Sequence, residues 1–140
     1  MLILKRYFSF CTSHRLYNPK FSDEKNFLIY GKCAGIHGHG HNYKLEVAIT
    51  GKVDPETSMV FNLDLLKELV DKNIIEDVDH KHLNFDVPWL EGKIPTAEVF
   101  IDSIWERLNI AIKNCNTNDI KLYAITLWET EFDAVTKTRD

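Results

Sequence analysis

Three histidines alternate with glycines over residues 37–41, immediately before a segment of alternating apolar residues. If the segment is extended, residues two apart share a face, so His37, His39 and His41 prolong the row that Tyr43 continues. Neutral imidazoles held together at the buried end of a rigid strand suit Zn²⁺ or a similar borderline metal. The alternative is a glycine-rich turn with solvated histidines, since short His-x-His matches also arise by chance.

Length and composition exclude several classes of protein. A chain of 140 residues has room for one domain with a real core, so we treat residues 1–140 as a single domain. A hydrophobic fraction of 44% and a charged fraction of 27% argue against disorder, and no apolar run has the length of a membrane span. The formal net charge of −4 offers no basic surface, so we expect neither nucleic acid nor a membrane as a partner.

The amino terminus and the cysteines predict a cytoplasmic protein. Residues 1–4 are apolar, but Lys5 and Arg6 follow them, which reverses the charge order of a secretion signal. Three cysteines, an odd number, indicate reduced thiols rather than a disulfide framework. Cys11 lies within a predicted strand and Cys115 at the end of a predicted helix, so we expect a packing or an incidental role for each.

Hydrophobic periodicity predicts two strands, two helices and two further strands, in that order. The predicted strands cover residues 3–13, 39–50, 120–129 and 132–138. Helical spacing predicts one helix over residues 63–76, capped by Asn62 or Asp64, and a second helix that begins at Pro95 and Thr96. The predicted order is therefore a pair of strands, a pair of helices and a second pair of strands.

This element order predicts an α+β fold in which two one-sided helices cover one face of a four-stranded antiparallel sheet. Residues 15–32 are interpreted as a loop with at most a short helical turn, because Asn18 and Pro19 precede a charged stretch. The first and last strands would be the edges of this sheet. Small sheets with uncovered edges tend to be paired by other subunits, so we expect an oligomer.

Two further segments carry candidate catalytic groups. His14 continues the apolar row of the first strand, where a lone histidine is either a core residue or a ligand. Between the helices, Asp77 or Asp79 could orient His80 and raise its basicity, although a polar helix exit with solvated histidines is the alternative. Cys33 is a natural partner for such a pair, because the thiolate is the form that abstracts protons.

Glu129 ends the row formed by Tyr123, Ile125 and Leu127, so a carboxylate stands where alternation predicts the core face. A carboxylate in that position either protrudes at the rim of the sheet or meets a ligand that offers hydrogen-bond donors. Position alone favours neither interpretation.

Collected in order, these residues resemble the motifs of the 6-pyruvoyl-tetrahydropterin synthase family, which also contains the 6-carboxy-tetrahydropterin synthases. The motifs are SHRL at 13–16, GKC at 31–33, GHGHNY at 38–43, DHK at 79–81, PTAE at 95–98 and WET at 128–130. Each is weak alone, but their joint occurrence along nearly the whole chain is specific. The resemblance implies a T-fold (tunnelling fold), whose sheets close into a barrel in trimers that pair as a homohexamer.

The resemblance also implies a metal site and a general base. His14, His39 and His41 would bind a catalytic Zn²⁺, and Cys33 would be the general base. Three protein ligands leave the fourth zinc position open, as a catalytic site requires. His37 stands where the pyruvoyl type usually carries a residue that is not a ligand, so its role stays open.

Other family roles transfer to the remaining motifs. Asp79 and His80 would complete the proton relay. These two residues and the zinc ligands of one site could belong to different subunits or to the same subunit. Glu129 would anchor the pterin by accepting hydrogen bonds from its ring amine and amide. Thr96 and Glu98 would lie near the pocket.

The implied reaction converts 7,8-dihydroneopterin triphosphate to 6-pyruvoyl-tetrahydropterin and eliminates triphosphate. The alternative is the 6-carboxy-5,6,7,8-tetrahydropterin synthase of queuosine biosynthesis. In the family, five residues separate the cysteine from the histidine pair in the pyruvoyl type, and three in the carboxy type. Cys33 satisfies both spacings, to His39 and to His37, although the Asn42-Tyr43 pair resembles the pyruvoyl type better. A remote alternative is a non-catalytic interaction module stabilised by zinc.

Overall fold

Two long strands, β1 (Ile3–His14) and β2 (His39–Thr50), organise the sheet and pair antiparallel along their whole lengths. A computed structural model describes residues 1–115 and 118–140 of the chain. On the far side of β2, β4 (Lys121–Trp128) pairs antiparallel with it, and β5 (Ala134–Thr138) pairs antiparallel with β4. These four strands are the ones that the periodicity predicts.

A fifth strand corrects the predicted strand count. β3 (Lys81–His82) pairs parallel with β1 at Thr12 and Ser13, so the sheet order is β3-β1-β2-β4-β5. Hydrogen bonds of 2.7 Å and 2.8 Å from the backbone N–H groups of His80 and Leu83 to β1 carbonyls hold it there. A strand of two residues has no periodicity to detect, and it lies within the long connection between the predicted helices. The α+β class is confirmed.

Alternation along β1 and β2 defines the buried face of the sheet. Tyr43, Leu45, Val47 and Ile49 are all at most 1% exposed, and Phe8 and Phe10 of β1 pack on the same side. The helices cover this face, as the one-sided helical pattern predicts. The histidines at the ends of these two rows therefore lie on the helix-covered face of the sheet, next to the core.

The first predicted helix extends beyond the predicted residues 63–76. α2 (Leu63–Val70) continues through a π-helical turn (Asp71–Ile75) into α3 (Glu76–Val78). Its N-cap is Asn62, whose side-chain oxygen accepts hydrogen bonds from the first-turn N–H groups, one of them from Asp64 at 2.8 Å. The long connection to the next helix therefore begins after Val78.

The second predicted helix is α4 (Ala97–Cys115), which is capped by the Thr96 hydroxyl through a 3.2 Å hydrogen bond from the Val99 N–H. Helical spacing predicts a face of Ile101, Ile104, Trp105, Leu108 and Ile112. All of these are buried except Trp105, which is partly buried against the core, and Phe100 joins the buried face. Among the helices of the described residues, none combines the length and apolar character needed to cross a membrane.

The segment expected to be a loop contains a helix of eight residues, α1 (Asp23–Tyr30), capped by Ser22. Its sequence has no apolar periodicity, which explains why the pattern alone missed it. A 3-10 turn (Gly31–Ala34) follows directly and carries Cys33. A second 3-10 turn covers Pro88–Leu90.

Gly38 ends the turn before β2 and removes His37 from the strand. Its φ of +70° breaks the extended conformation, so β2 begins at His39 and His37 lies exposed in the turn. A Cβ at Gly38 would stand 2.7 Å from the carbonyl oxygen of His14, closer than real Cβ contacts allow. The expectation that three alternate histidines share one strand face is therefore wrong for His37.

We expect Gly38→Ala to destabilise the fold more than Gly92→Ala. Both glycines have a positive φ, +70° and +75°, which costs an alanine roughly 1–2 kcal/mol, but a Cβ at Gly92 meets no atom within 4 Å. Urea denaturation of both variants measures the free energy of unfolding. Equal losses would contradict a steric role for the close approach of Gly38 to His14.

Candidate active site

The β1–β2 register brings three imidazoles together at one end of the sheet. His14 pairs with His39, and Thr12 pairs with His41. The Nε2 atoms of His14 and His39 are 3.0 Å apart, and one ring nitrogen from each histidine lies within 4.8 Å of the others. The predicted set of His14, His39 and His41 therefore forms a group that could hold a metal ion.

Contacts outside the cluster hold these rings in a form suited to ligation. His14 is fully buried, and its Nδ1 donates a 2.8 Å hydrogen bond to the carbonyl oxygen of Pro95, which leaves the Nε2 lone pair facing the cluster. Burial lowers the pKa of His14 to about 4, and burial with the neighbouring His41 also lowers the pKa of His39. Both rings are therefore neutral at neutral pH, as metal binding requires.

His41 supplies an independent test of whether a metal fits. Its Nε2 is buried and has no hydrogen-bond partner among the described residues, although Glu129 Oε1 lies 3.3 Å away. A buried polar atom without a partner is costly unless a ligand satisfies it. Three imidazole donors with one unsatisfied nitrogen are a donor set that zinc accepts.

Glu129 meets the imidazoles at the end of β4. Its Oε1 lies 3.3 Å from Nε2 of both His14 and His41, and its side chain is 26% exposed. The row through Ile125 and Leu127 therefore does deliver a carboxylate to the side of the sheet that carries the cluster. The predicted place of Tyr123 in this row is wrong, because a register shift in the β2–β4 pairing puts Leu122 in the buried row instead.

Tyr43 lies beside the cluster, with its ring centroid 5.6 Å from that of His41, and Cys33 is close enough to affect its pKa. Burial raises the pKa of Tyr43 above its ordinary value, and the negative charges of Glu129 and Cys33 raise it further. The Tyr43 hydroxyl is buried and has no hydrogen-bond partner among the described residues. Alternation places Tyr43 in the core but cannot signal a phenol beside a candidate base, so sequence reasoning missed it.

Asp79, and not Asp77, orients His80. Asp79 Oδ1 lies 3.0 Å from His80 Nδ1 and accepts a 3.0 Å hydrogen bond from the backbone N–H of Cys11. That hydrogen bond lowers the pKa of Asp79, and His80 lowers it further. Asp77 instead accepts hydrogen bonds from Trp89 and Arg107, so the suggestion that it could orient His80 is wrong.

The structure does not bring Cys33 together with Asp79 and His80 in one chain. Within the described residues, the thiol grouped with this pair is that of Cys11, with ligand atoms within 4.8 Å of one another. Cys11 alternates with the buried Phe10 and thus points to the opposite side of β1. Among the described residues, Cys33 is therefore not grouped with Asp79 and His80.

Thr96 and Glu98 follow the residue that contacts His14. The Pro95 carbonyl binds His14, the Thr96 hydroxyl caps α4, and Glu98 is exposed in the first helical turn. This turn therefore borders the cluster, while the Thr96 hydroxyl already has a structural partner.

Two other histidines complete the surroundings. His37 is exposed and outside the cluster. His82 is half-buried, accepts a hydrogen bond at Nδ1 from the Asn84 N–H, and brings Nε2 to within 3.0 Å of the Cβ position of Gly38. Of the two histidines in the solvated alternative, His80 has a side chain that is 79% exposed, whereas His82 is half-buried and burial lowers its pKa.

Comparisons with known proteins agree with this geometry. The sequence profile described as 6-pyruvoyl tetrahydropterin synthase matches residues 3–140. A 6-pyruvoyl tetrahydrobiopterin synthase from Pongo abelii is 41% identical over 120 residues, which cover 86% of this chain and 83% of the relative. One from Dictyostelium discoideum is 42% identical over 130 residues, with 93% and 90% covered.

A solved structure shows the same likeness in three dimensions. The 6-pyruvoyl tetrahydropterin synthase of Caenorhabditis elegans superposes with a TM-score of 0.89 at 33% identity, over 99% of this chain and 96% of the other. The predicted T-fold is confirmed by this match. With its fold, its three-histidine cluster and its sequence all in agreement, the chain belongs to the 6-pyruvoyl tetrahydropterin synthase family.

Proposed function

We propose that this protein is a lyase that converts 7,8-dihydroneopterin triphosphate to 6-pyruvoyl-tetrahydropterin and releases triphosphate. The names of its relatives support this reaction. The observation that carries the proposal is the convergence of His14, His39 and His41, with one buried nitrogen unsatisfied.

In this proposal, His14, His39 and His41 bind Zn²⁺. When bound, zinc supplies Lewis-acid polarisation of substrate oxygens, which acidifies the neighbouring carbon-bound hydrogen of the side chain. Pro95 fixes the tautomer of His14, and the core around it excludes water from the ligands. The protein would thereby orient the substrate side chain against the base.

Cys33 is the proposed base. As a thiolate it takes the proton from the side-chain carbon, and His80, held by Asp79, passes protons so that the pterin ring is reduced while the side chain is oxidised and triphosphate leaves. The ring gains the electrons that the side chain loses, so no external redox cofactor is needed. Three free cysteines among the described residues suit the reducing cytoplasm, where we place the protein.

Glu129 is proposed to anchor the pterin by accepting hydrogen bonds from the ring amine and amide. Its Oε1 stands beside His14 and His41, so anchor and metal ligands would share one wall of the pocket. Thr96 and Glu98 are proposed to border the same pocket from the first turn of α4, next to the carbonyl that binds His14.

We propose that Cys33 meets Asp79 and His80 of a neighbouring subunit in a homohexamer, a dimer of trimers. Two observations support this assembly. Within one chain the thiol and the pair are apart. In addition, β5 and most of β1 are sheet edges, because β3 pairs with only two residues of β1. Pairing of these edges would close the sheets into a barrel and complete each site.

The runner-up, a carboxy-tetrahydropterin synthase, requires the spacing in which His37 and His39 are the ligand pair. His37 is exposed and outside the imidazole cluster. The clustered pair is His39 and His41, and five residues separate Cys33 from His39, which is the spacing of the pyruvoyl type. This geometry favours the pyruvoyl product.

Product analysis and thiol variants test the reaction. We expect wild-type protein with zinc to yield a product with the mass of 6-pyruvoyl-tetrahydropterin, and Cys33→Ala to lose turnover by about a hundredfold or more with its metal retained. Cys115→Ala, which removes another half-buried thiol, should keep full turnover. A wild-type protein without turnover would refute the proposal and favour the non-catalytic interaction module, and an undiminished turnover of Cys33→Ala would refute the assignment of Cys33 as the base.

Metal content tests the ligand assignment. We expect His41→Ala to bind one zinc ion per chain fewer than wild type and to lose turnover, because it removes a ligand nitrogen from the three-histidine cluster. His37→Ala is the matched control. His37 and His41 are each two residues from His39 in the sequence, but His37 lies outside the cluster, so this variant should keep its zinc and its turnover. Zinc per chain is measured by atomic absorption after dialysis. Loss of zinc from His37→Ala would refute the assignment.

Subunit mixing tests the shared site. Cys33→Ala and His80→Ala are each expected to be inactive alone, yet random mixed oligomers should recover about one quarter of wild-type turnover if each site combines two subunits in a closed ring. Co-expression with two affinity tags isolates the mixed oligomers. Sites contained within one chain would instead give no recovery at all.

A further inference from the structure

We propose that Cys11, Asp79 and His80 form a second metal site, for Zn²⁺ or another thiophilic divalent cation. One ligand atom from each residue lies within 4.8 Å of the other two. In a tetrahedral zinc site with bonds of about 2.0–2.3 Å, the ligand atoms are about 3.3–3.8 Å apart, so small side-chain rotations suffice to bind an ion.

The donor set of this second site differs from that of the three-histidine cluster. It offers a thiolate, a carboxylate and an imidazole, a mixture that zinc accepts and that Mg²⁺ and Ca²⁺, which prefer oxygen, do not. Once deprotonated, Cys11 and Asp79 together neutralise a divalent charge. The three-histidine cluster contains no sulfur donor, so the two sites are distinguishable by spectroscopy.

Backbone hydrogen bonds already hold the three residues together. The Cys11 N–H donates to Asp79 Oδ1 at 3.0 Å, and the His80 N–H donates to the Cys11 carbonyl at 2.7 Å. His80 has a φ of +61°, a conformation that residues other than glycine seldom adopt and that often marks functional sites. The site is therefore largely formed before any ion binds.

A surface groove of about 490 Å³ gives an ion access to these residues. Cys11 and His80 line it, with Ser13, Asn42 and Lys81 among the other lining residues. The His80 side chain is 79% exposed and that of Asp79 is 37% exposed. Three protein donors beside an open groove leave a fourth position for water or for a ligand.

Co²⁺ binding followed by absorption spectroscopy tests this site without measuring turnover. We expect wild-type protein to show a thiolate-to-Co²⁺ charge-transfer band, and His41→Ala to keep that band although it has lost the three-histidine cluster. Cys11→Ser and His80→Ala should lose it. Cys33→Ser and Cys115→Ser should keep it, which identifies the bound sulfur as that of Cys11.

Asp79→Asn gives a second variant with an intact backbone contact. Its amide oxygen can still accept the Cys11 N–H, while the carboxylate charge is gone, so we expect Co²⁺ to bind at least tenfold more weakly. Thermal unfolding of each variant without metal confirms that it folds. A wild-type protein without a thiolate band, or a band lost with Cys33→Ser and kept in Cys11→Ser, would overturn the proposal.

Occupation of this site should also affect turnover, and this consequence rests on the relay role proposed above for His80. A metal on the imidazole removes it from proton transfer, so excess Zn²⁺ should inhibit wild-type protein, and Cys11→Ser should resist by at least tenfold in Zn²⁺ concentration. Equal inhibition of both proteins would overturn this consequence, whereas the spectroscopic band reports on the site even in the absence of turnover.

Discussion

The antiparallel pairing of β1 with β2 is the interaction on which the candidate site depends. It sets His14 opposite His39 and Thr12 opposite His41, so three rings from two strands meet on the face that the helices cover. A slip of one residue in this register would turn one set of imidazoles to the other face of the sheet. The long buried rows of both strands oppose such a slip, because it would also expose Phe10 or Tyr43.

The residue directly before α4 fixes the orientation of the His14 ring, which the strand pairing does not determine. His14 is held by the carbonyl of Pro95, 81 residues further along the chain and directly before α4. That hydrogen bond selects which nitrogen of the buried ring faces its neighbours, since the other nitrogen has been used. The packing of α4 on the sheet thus becomes a requirement for the geometry of the three-histidine cluster as well as for the core.

The helices, the strands and the histidines of the cluster could be predicted wherever the sequence has a repeating hydrophobic pattern. Alternation predicted the rows that contain His14, His39 and His41, and helical spacing predicted α2 and α4. The failures concern features without a repeat. A single torsion at Gly38 removes His37 from the row, and β3 is too short for a period.

The sequence pattern also could not show which aspartate contacts His80. Asp77 and Asp79 are both near His80 in the chain, but only the folded structure shows that Asp77 is taken by Trp89 and Arg107. Candidates that differ by two residues can be separated by a helix end, since α3 stops at Val78. Sequence proximity to a histidine is therefore a weak predictor of contact with it.

The position of His80 ties the two proposals together. Its Nδ1 faces Asp79, which leaves one ring nitrogen for a further partner. In its own chain the nearby thiol is that of Cys11, whereas the proposed base, Cys33, lies near Tyr43 on the covered face. A metal ion shared with Cys11 and proton transfer to a neighbouring subunit would both engage this one imidazole. The two roles are consequently exclusive, so the occupancy of the groove would decide whether the imidazole is available for proton transfer.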